Sequence, residues 1–374
     1  MAKSETEDLK PAHILHVFHS FRVGGSETRT CQLIDAMGDD YRHTIVSQSG
    51  DFAARPLIKS SHRVNFVHAE GFDKRSYLSN ALAARRLIRE INPDLMIAYS
   101  WGGCEWLVGN AFSKLCPDIF SIEGFDTDEA VSENRKRRFI RMLVVKRATA
   151  LHACSLVLRN HALSSWHAAD PDTRYIPNGV DITRFRPRTE RVSGQPLIVG
   201  SLGSLIEVKN HRLLIEAFTL LTQSEVDLRI IGEGPERAAL EEQIRTAGLG
   251  NRITLLGHNA DPSPAIRQFD IFCLSSHSEQ MPIAVLEAMA SGLPVVSTDV
   301  GDVKNMVAQS NRGFIVPPGD PAAYSRALAA LLGDAELRAG IGADNRKRCE
   351  DEFEFGLMVR RHRELYDQCI RKRR

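Results

Sequence analysis

Two consecutive series of short apolar runs, each alternating with amphipathic stretches, constrain the fold of this chain more than any other feature of its sequence. Such an alternation predicts parallel strands connected by helices that cover both faces of the sheet. The first series predicts strands at His13–Phe18, Thr44–Ser47, Val64–His68, Leu95–Tyr99, Ile119–Ile122 and Leu151–Cys154. The second series predicts strands at Leu197–Gly200, Leu228–Ile231, Ile253–Leu256, Ile271–Leu274, Val295–Ser297 and Phe314–Val316.

The polar segment with prolines that separates the two series is the best candidate for a domain boundary. We therefore predict an α/β protein with an N-terminal Rossmann-like domain over residues 1–182, a linker over 183–196 and a second Rossmann-like domain over 197–353. Residues 354–374 are predicted to form a separate terminal helix. Because ligands of open α/β sheets bind beyond the carboxyl ends of the strands, the loops at those ends, facing a cleft between the domains, are the candidate site.

Composition excludes several classes of protein. The 374 residues carry a formal net charge of +1, which gives no reason to expect a nucleic-acid partner. The seven cysteines include no C-x-x-C pair, which favours reduced thiols over a disulfide framework or a zinc site. The first residues are charged and lack the apolar core of a signal peptide, and no apolar run approaches the length of a membrane span. A cytoplasmic protein is therefore expected.

One predicted helix of the second domain begins without a capping side chain and contains an isolated carboxylate. Pro282 suits its first position, and Met281 precedes it where Ser, Thr or Asp would be usual. The unpaired N–H groups and the helix dipole favour an anion such as phosphate. Glu287 lies among apolar residues of this helix, and a buried carboxylate needs hydrogen-bond donors, which sugar hydroxyls would supply. The alternative, that Glu287 faces solvent, stays open.

Glu279 precedes this helix, so that the two carboxylates have the spacing Glu-x7-Glu. Together with the pattern L-E-A-M-A-x-G-x-P-V-V, this spacing resembles the family-4 glycosyltransferases, which are retaining enzymes of the GT-B fold that use nucleotide sugars. The resemblance implies that Glu279 contacts the donor sugar and Glu287 the ribose. Met281, Pro282 and Ile283, at the helix start, are then donor-binding residues. It also implies that the terminal helix crosses back onto the first domain.

The loop after the first strand of the second series resembles the diphosphate-binding loop of the family. Relatives carry G-R-L-x-x-x-K-N here, in which the Arg and the Lys clamp the diphosphate. Lys209 and Asn210 match, whereas Ser204 stands in the Arg position. A hydroxyl lacks the planar guanidinium fork that suits phosphate. Lys209 is therefore predicted to be both a donor-binding and a catalytic residue, with Ser204 beside the donor.

Two glycine loops complete the predicted donor site. Gly232 belongs to a G-x-G loop after the next strand, where the family packs the nucleotide. Gly24 and Gly25 follow the first strand of the chain, and glycines there let the backbone approach a ligand closely. The family has a glycine loop at this position that faces the donor phosphates and the acceptor. A plain tight turn is the alternative for Gly24 and Gly25.

Two other loops of the first domain are candidates for the acceptor side. Trp101 follows the fourth strand and could stack on a sugar ring, although simple packing is an equal alternative. Glu123 and Asp126 follow the fifth strand, where many relatives carry a His instead. The triplets at residues 126–128 and 170–172 match the metal-binding Asp-x-Asp of the other large glycosyltransferase fold. We interpret both triplets as turns and expect neither a metal nor a cofactor.

The segment Arg135–Arg147 contains seven basic residues and no acidic one. As a helix it would have an apolar side and a cationic side, which is typical of a helix that lies in a membrane interface. Family members that glycosylate lipid-linked acceptors touch the inner leaflet in this way. Peripheral membrane contact and a solvated helix face are both open at this point.

The sequence thus predicts a retaining glycosyltransferase that moves a hexose from a nucleotide diphosphate sugar, most commonly a UDP-sugar in this family, to a sugar or lipid-linked acceptor in polysaccharide or glycoconjugate biosynthesis. Lys209 and the helix start would stabilise the departing diphosphate, while Glu279 orients the sugar. A non-catalytic GT-B protein that binds nucleotide sugar is the alternative, because Ser204 replaces Arg. An NAD dehydrogenase is disfavoured, since Val23-Gly-Gly-Ser26 lacks the G-x-G-x-x-G pattern.

Overall fold

The computed structural model describes residues 10–60, 64–72, 76–124, 133–189 and 194–372. These residues form two compact units. The first unit comprises the described residues up to Cys154, together with Leu158–Ile176 and the residues from Val359 onward. The second unit comprises Ser155–Val157 and Pro177–Met358.

A seven-stranded parallel sheet lies at the centre of the first unit. Its strands in chain order are β1 (Ala12–Phe18), β2 (Tyr41–Ser47), β3 (Val64–His68), β4 (Leu95–Tyr99), β5 (Asp118–Ile122), β6 (Ala150–Ala153) and β7 (Thr173–Tyr175). They lie in the order β3-β2-β1-β4-β5-β6-β7. Strand β4 is buried along its whole length, which is why it reads as a continuous apolar run in the sequence. Strand β5 is equally buried, although it includes Asp118 and Ser121.

In the described part of this unit the connecting helices are α1 (Gly25–Met37), α2 (Tyr77–Ile91), α3 (Cys104–Ala111), α4 (Arg135–Val145) and α5 (Leu156–Ser165). Local chemistry sets their ends. The Ser76 hydroxyl accepts a hydrogen bond from the Ser79 N–H at the start of α2, and Asn134 caps α4 in the same way. Helix α2 ends at Ile91, and its C-cap residue Asn92 has a left-handed backbone that Asn tolerates better than most residues.

The second unit contains a six-stranded parallel sheet in the order β10-β9-β8-β11-β12-β13. Its strands are β8 (Leu197–Leu202), β9 (Val226–Ile231), β10 (Ile253–Gly257), β11 (Ile271–Leu274), β12 (Val295–Thr298) and β13 (Ile315–Val316). The remaining helices are α6 (His211–Thr219), α7 (Arg237–Thr246), α8 (Ser263–Ile266), α9 (Ile283–Ala290), α10 (Val303–Met306), α11 (Pro321–Gly333), α12 (Ala335–Glu352) and α13 (Phe355–Arg371).

Apolar cores cover the second sheet on both of its faces. One core contains Phe218, Leu228 and Tyr324, and the other contains Phe272 and Met289. In the first unit a core that includes Trp106 and Trp166 packs beside the sheet. Two parallel sheets connected by helices, the second covered by apolar cores on both faces, confirm the predicted fold class of two Rossmann-like α/β domains.

From Val359 onward, helix α13 packs within the first unit, as expected for a terminal helix that crosses back. The Tyr41 hydroxyl donates a 2.7 Å hydrogen bond to Asp367 Oδ1. The ring of His362 lies edge-on to that of His152, with 4.9 Å between their centroids. These contacts tie the end of the chain to β2 and β6.

Both sheets reverse their strand order at one point, between β1 and β4 in the first unit and between β8 and β11 in the second. The connections on either side of such a point run in opposite directions, which leaves a crevice beyond the carboxyl ends of the two strands. The loops that follow β1, β4, β8 and β11 are therefore the places where a site is expected.

Candidate functional site

In the second unit, the loops that follow β8 and β11 bring Lys209 and Glu279 together. Lys209 Nζ lies 2.6 Å from Glu279 Oε1, and the Ser276 hydroxyl donates to the same oxygen at 2.7 Å. Most of the Glu279 side chain is buried, whereas Lys209 is more accessible. The two residues that the sequence assigned to catalysis are therefore direct neighbours at the point where the strand order reverses.

The start of α9 follows Glu279 directly, and its donors have no side-chain cap among the described residues. Helix α9 begins at Ile283, so that Pro282 is the N-cap residue and not the first helical residue as predicted. The backbone of Pro282 is extended, with ψ of 118°, so this residue precedes the helix and does not belong to it. The uncapped N–H groups remain suited to an anion.

Neighbouring backbone fixes the segment between Glu279 and α9. The Asp302 N–H donates to the Gln280 carbonyl at 2.8 Å, and the Asn178 side chain donates to the Met281 carbonyl at 2.9 Å. A Cβ on Gly301 would lie 2.4 Å from the Glu279 carbonyl oxygen. Only glycine therefore fits at residue 301, and Glu279 is held by close backbone packing.

Glu287 lies on α9 with its carboxylate partly buried. Burial raises its pKa to about 7, with Arg184 opposing that shift and Asp261 adding to it. Arg184 is itself paired with Asp261 at 2.9 Å, and the hydrogen bonds of the described residues include none to the Glu287 carboxylate. Glu287 is thus a half-buried carboxyl group that still lacks the donors expected from the sequence.

The loops after β8 and β9 pack directly against each other. A Cβ on Gly232 would lie 1.9 Å from the Gly203 carbonyl oxygen, and one on Gly234 would lie 2.4 Å from that of Leu205. These glycines are required by the close approach of two backbones. Ser204, between the two contact points, is exposed at the surface of this loop.

In the first unit, a cavity of about 620 Å³ lies at the carboxyl ends of β1 and β4. This volume is within the range of small-molecule sites. Its lining is mostly polar and includes His19, Gln48, Asn80, Ser100, Trp101 and Glu105. Trp101 is the residue of this set that the sequence predicted. The others lie directly after neighbouring strands or on the helices that follow, and that position is the signal that would have found them.

The glycine loop adjoins this cavity. Gly24 is the N-cap residue of α1, and a Cβ on it would lie 2.6 Å from Glu27 Oε2. A Cβ on Gly25 would meet no atom within 4 Å, so open space lies beside this residue. Arg22, Ser26 and Glu27, on either side of the two glycines, line the cavity, and burial raises the pKa of Glu27.

Trp101 lines the cavity while several side chains pack on its ring. The guanidinium groups of Arg137 and Arg141 lie 5.0 Å and 5.3 Å from the ring centroid, and the Tyr77 ring lies at 6.0 Å. Both alternatives considered for this residue, packing and ligand contact, are therefore compatible with its position.

Glu123 is buried in an ion pair with Arg29 and does not line the cavity. Ser121 donates to its carboxylate at 2.5 Å, and His152 lies within 3.8 Å. Burial by itself would raise the pKa of Glu123, but Arg29 and His152 outweigh this and hold the pKa below its ordinary value. Asp126, the other predicted acceptor-side residue, lies outside the described residues.

Within the described ranges, no group of three or more His, Cys, Asp or Glu side chains is arranged to hold a metal ion. In the same residues, no helix combines the length and the apolar character needed to cross a membrane.

Two family models match this chain in succession. The model of Glycosyltransferase Family 4 matches residues 23–184, and that of Glycosyl transferases group 1 matches residues 182–348. The chain is 28% identical over 316 residues to EpsF of Bacillus subtilis, which covers 76% of this chain and 79% of EpsF. It is 24% identical to the N-acetyl-alpha-D-glucosaminyl L-malate synthase of Bacillus anthracis, and that match covers 51% of this chain and only 50% of the relative.

Solved structures share the fold at low sequence identity. A glycosyltransferase from Rickettsia africae matches with a TM-score of 0.80 and 18% identity, covering 96% of this chain and 99% of that one. HepE from Anabaena, in complex with UDP and glucose, matches with a TM-score of 0.78 and 20% identity, covering 96% of this chain and 100% of that one.

The two models lie side by side and together extend from residue 23 to residue 348, across both α/β units of the chain. Their boundary near residue 182 falls between the two sheets. The first half of the chain therefore matches Glycosyltransferase Family 4 and the second half matches Glycosyl transferases group 1, and the chain is a glycosyltransferase of the GT-B fold.

Proposed function

We propose that this protein is a retaining glycosyltransferase that moves a hexose from a UDP-sugar to a glycan or lipid-linked acceptor in polysaccharide or glycoconjugate biosynthesis. The observation that carries this proposal is the Lys209–Glu279 pair beside the uncapped start of α9. HepE, which has the same fold, binds UDP and glucose, and relatives such as the capsular polysaccharide glycosyltransferase CapM act in polysaccharide synthesis. The E-x7-E assignment of Glu279 to the sugar and Glu287 to the ribose is part of the proposal.

The reaction places negative charge on a departing diphosphate, and the proposed site meets that charge with fixed positive groups. Lys209 supplies an ammonium, and the N–H groups of α9 supply oriented dipoles. In the described residues, the hydrogen bonds to Glu279 use Oε1, so that Oε2 remains for a sugar hydroxyl. Donor binding would draw Lys209 from the carboxylate toward phosphate, leaving Glu279 to accept hydrogen bonds from the sugar.

Lys209 is proposed to be the main side-chain cation at the diphosphate because Ser204 replaces Arg. Arg212, a second cation near this loop, pairs with Glu236 at 2.9 Å. We expect Lys209→Ala to lower kcat about 10³-fold, as for the loss of a preorganised donor, while Arg212→Ala stays near wild type. Turnover at saturating donor tests both variants. A Lys209→Ala enzyme that retains more than about a tenth of wild-type turnover contradicts this assignment.

The same arrangement predicts that the reaction needs no divalent cation, since an ammonium and a helix N-terminus meet the phosphate charge. We expect transfer to continue at full rate in excess EDTA. Initial rates should be compared with and without chelator, and after Mn²⁺ is added back. Activity that disappears in EDTA and returns with Mn²⁺ would show that a metal performs the role given to Lys209.

Glu287 should make donor binding pH-dependent. Its pKa of about 7 means that it ionises near neutral pH, and the ionised form is the stronger acceptor for ribose hydroxyls. The affinity for UDP-glucose should therefore fall as pH decreases below 7, by up to about tenfold per pH unit. Glu287→Ala should weaken binding about ten- to 150-fold.

Calorimetric titration with UDP-glucose between pH 6 and 8 measures these effects, because the diphosphate of a nucleotide sugar keeps its charge over this range. Glu287→Gln should remove the pH dependence, and Glu216→Gln, on the exposed face of α6, should leave it intact. Equal pH profiles for wild type and Glu287→Gln would contradict the role of this residue.

Peripheral membrane contact through Arg135–Arg147 is also part of the proposal. Helix α4 exposes Phe139 and Leu143, at 61% and 41%, together with several of its basic side chains. Arg141 is an exception to the predicted cationic face, because it is buried in an ion pair with Glu133. Helix α3 lies between α4 and α2, and the adjoining elements expose further large apolar side chains, namely Leu78, Leu82 and Phe112.

An exposed apolar ridge with basic neighbours predicts binding to anionic bilayers that salt weakens. We expect co-sedimentation with vesicles that contain phosphatidylglycerol, and little with pure phosphatidylcholine. Phe139→Ser with Leu143→Ser should abolish most of the binding, whereas Leu220→Ser, an equally exposed leucine in the second unit, should not. Binding that is unchanged in the α4 double variant would contradict the proposal.

A further inference from the structure

The turn after β4 contains a serine in a backbone conformation that L-residues rarely adopt. Ser100 has φ of 50° and ψ of −154°. The described residues contain three other non-glycine positions with positive φ, namely Asn92, His167 and Asn210. Asn92 and Asn210 lie in the ordinary left-handed helical region, which asparagine tolerates. The Ser100 conformation belongs instead to a region populated almost only by glycine.

Close packing on both sides imposes this conformation on Ser100. Its N–H donates to the Ser121 carbonyl at 2.9 Å, which continues the pairing of β4 with β5. A Cβ on Gly102 would lie 2.6 Å from His19 Cβ, and one on Gly103 would lie 2.7 Å from Ala98 Cβ. The turn is therefore pressed against the residue that follows β1, and the chain has to bend sharply at Ser100.

Ser100 lines the 620 Å³ cavity at the place where the strand order of the first sheet reverses. Other polar groups of the lining already have protein partners there. Gln48 contacts His19 Nδ1 at 3.2 Å and donates to the Gly102 carbonyl at 2.8 Å, and Asn80 donates to Glu105. The hydrogen bonds of the described residues include none made by the Ser100 hydroxyl.

A glycine would satisfy the backbone at this position without strain. Retaining a serine costs stability, and such costs concentrate at positions that bind ligands. The neighbouring Trp101 offers an aromatic face, and Glu105 and Gln48 offer acceptors to hydroxyl groups. An aromatic face beside several hydrogen-bonding groups suits a polyhydroxylated ligand with an apolar ring face.

We propose that Ser100 is an acceptor-binding residue, strained so that its hydroxyl bonds a hydroxyl group of a carbohydrate held in this cavity. The inference rests on the proposed function in taking that carbohydrate to be the acceptor. If the role of Ser100 were only to form the turn, glycine would replace it with a gain in stability and no loss of binding.

Three substitutions separate these roles. Ser100→Gly removes both the strain and the hydroxyl, so the melting temperature should rise by about 2–4 °C or more, while the acceptor KM rises about two- to twelvefold. Ser100→Ala removes only the hydroxyl, and should raise the acceptor KM equally with no gain in stability. His167→Gly, at a positive φ outside the cavity, is the control: it should stabilise the protein and leave KM unchanged. Donor KM should stay at the wild-type value in all three variants.

Direct binding distinguishes a failure of this inference from a failure of the proposed function. Saturation-transfer NMR with methyl glycosides of glucose, galactose, mannose and N-acetylglucosamine needs no transfer reaction. Glycoside binding by the wild type that weakens in Ser100→Ala supports the inference even if no transfer is detected. Wild-type acceptor KM in both Ser100 variants overturns it, as does the absence of binding by every glycoside together with the absence of transfer.

Discussion

In a parallel sheet every strand ends at the same edge, and the arrangement of functional groups in this chain depends on that constraint. Lys209 and Glu279 are 70 residues apart in the sequence, yet their side chains meet at 2.6 Å because β8 and β11 are neighbours. The cavity of the first unit lies in the same way between the ends of β1 and β4. In both sheets these are the strands between which the order reverses, and there the helices diverge and leave space.

Close approach of backbones makes these strand ends rigid. Gly232, Gly301 and Gly102 each lie where a Cβ would be 1.9–2.6 Å from an atom of another loop. The atom is a main-chain carbonyl oxygen for Gly232 and Gly301, and the His19 Cβ for Gly102. No side chain fits such contacts, so close packing holds the loops that carry Lys209, Glu279 and Ser100. Preorganised groups stabilise charge without first having to reorganise, which is what a site for a departing diphosphate requires.

Burial raises the pKa of two carboxylates of this chain, but neighbouring charges outweigh it at only one of them. Inside the first unit, the Arg29 ion pair and His152 outweigh the effect of burial and keep Glu123 ionised as part of the fold. On α9 burial prevails, because the nearby Arg184 is already paired with Asp261, and the pKa of Glu287 rises to about 7. A carboxylate that is satisfied by its own protein is structural, whereas one left short of donors is suited to a ligand that brings them.

The sequence by itself determined the fold class, since alternating apolar runs and amphipathic stretches are local patterns. Strands β3, β4 and β11 even have the predicted bounds, whereas the three-residue β7, which has no apolar run, was not predicted. The tertiary structure alone decided that Lys209 pairs with Glu279, that Arg29 neutralises Glu123, and that Arg141 turns inward to Glu133. It also decided the strained conformation of Ser100, which results from packing against the residue after β1. A sequence pattern reports which residues are apolar and how they are spaced. The Lys209–Glu279 and Arg29–Glu123 contacts join residues far apart in the chain, and strand order with close packing sets them.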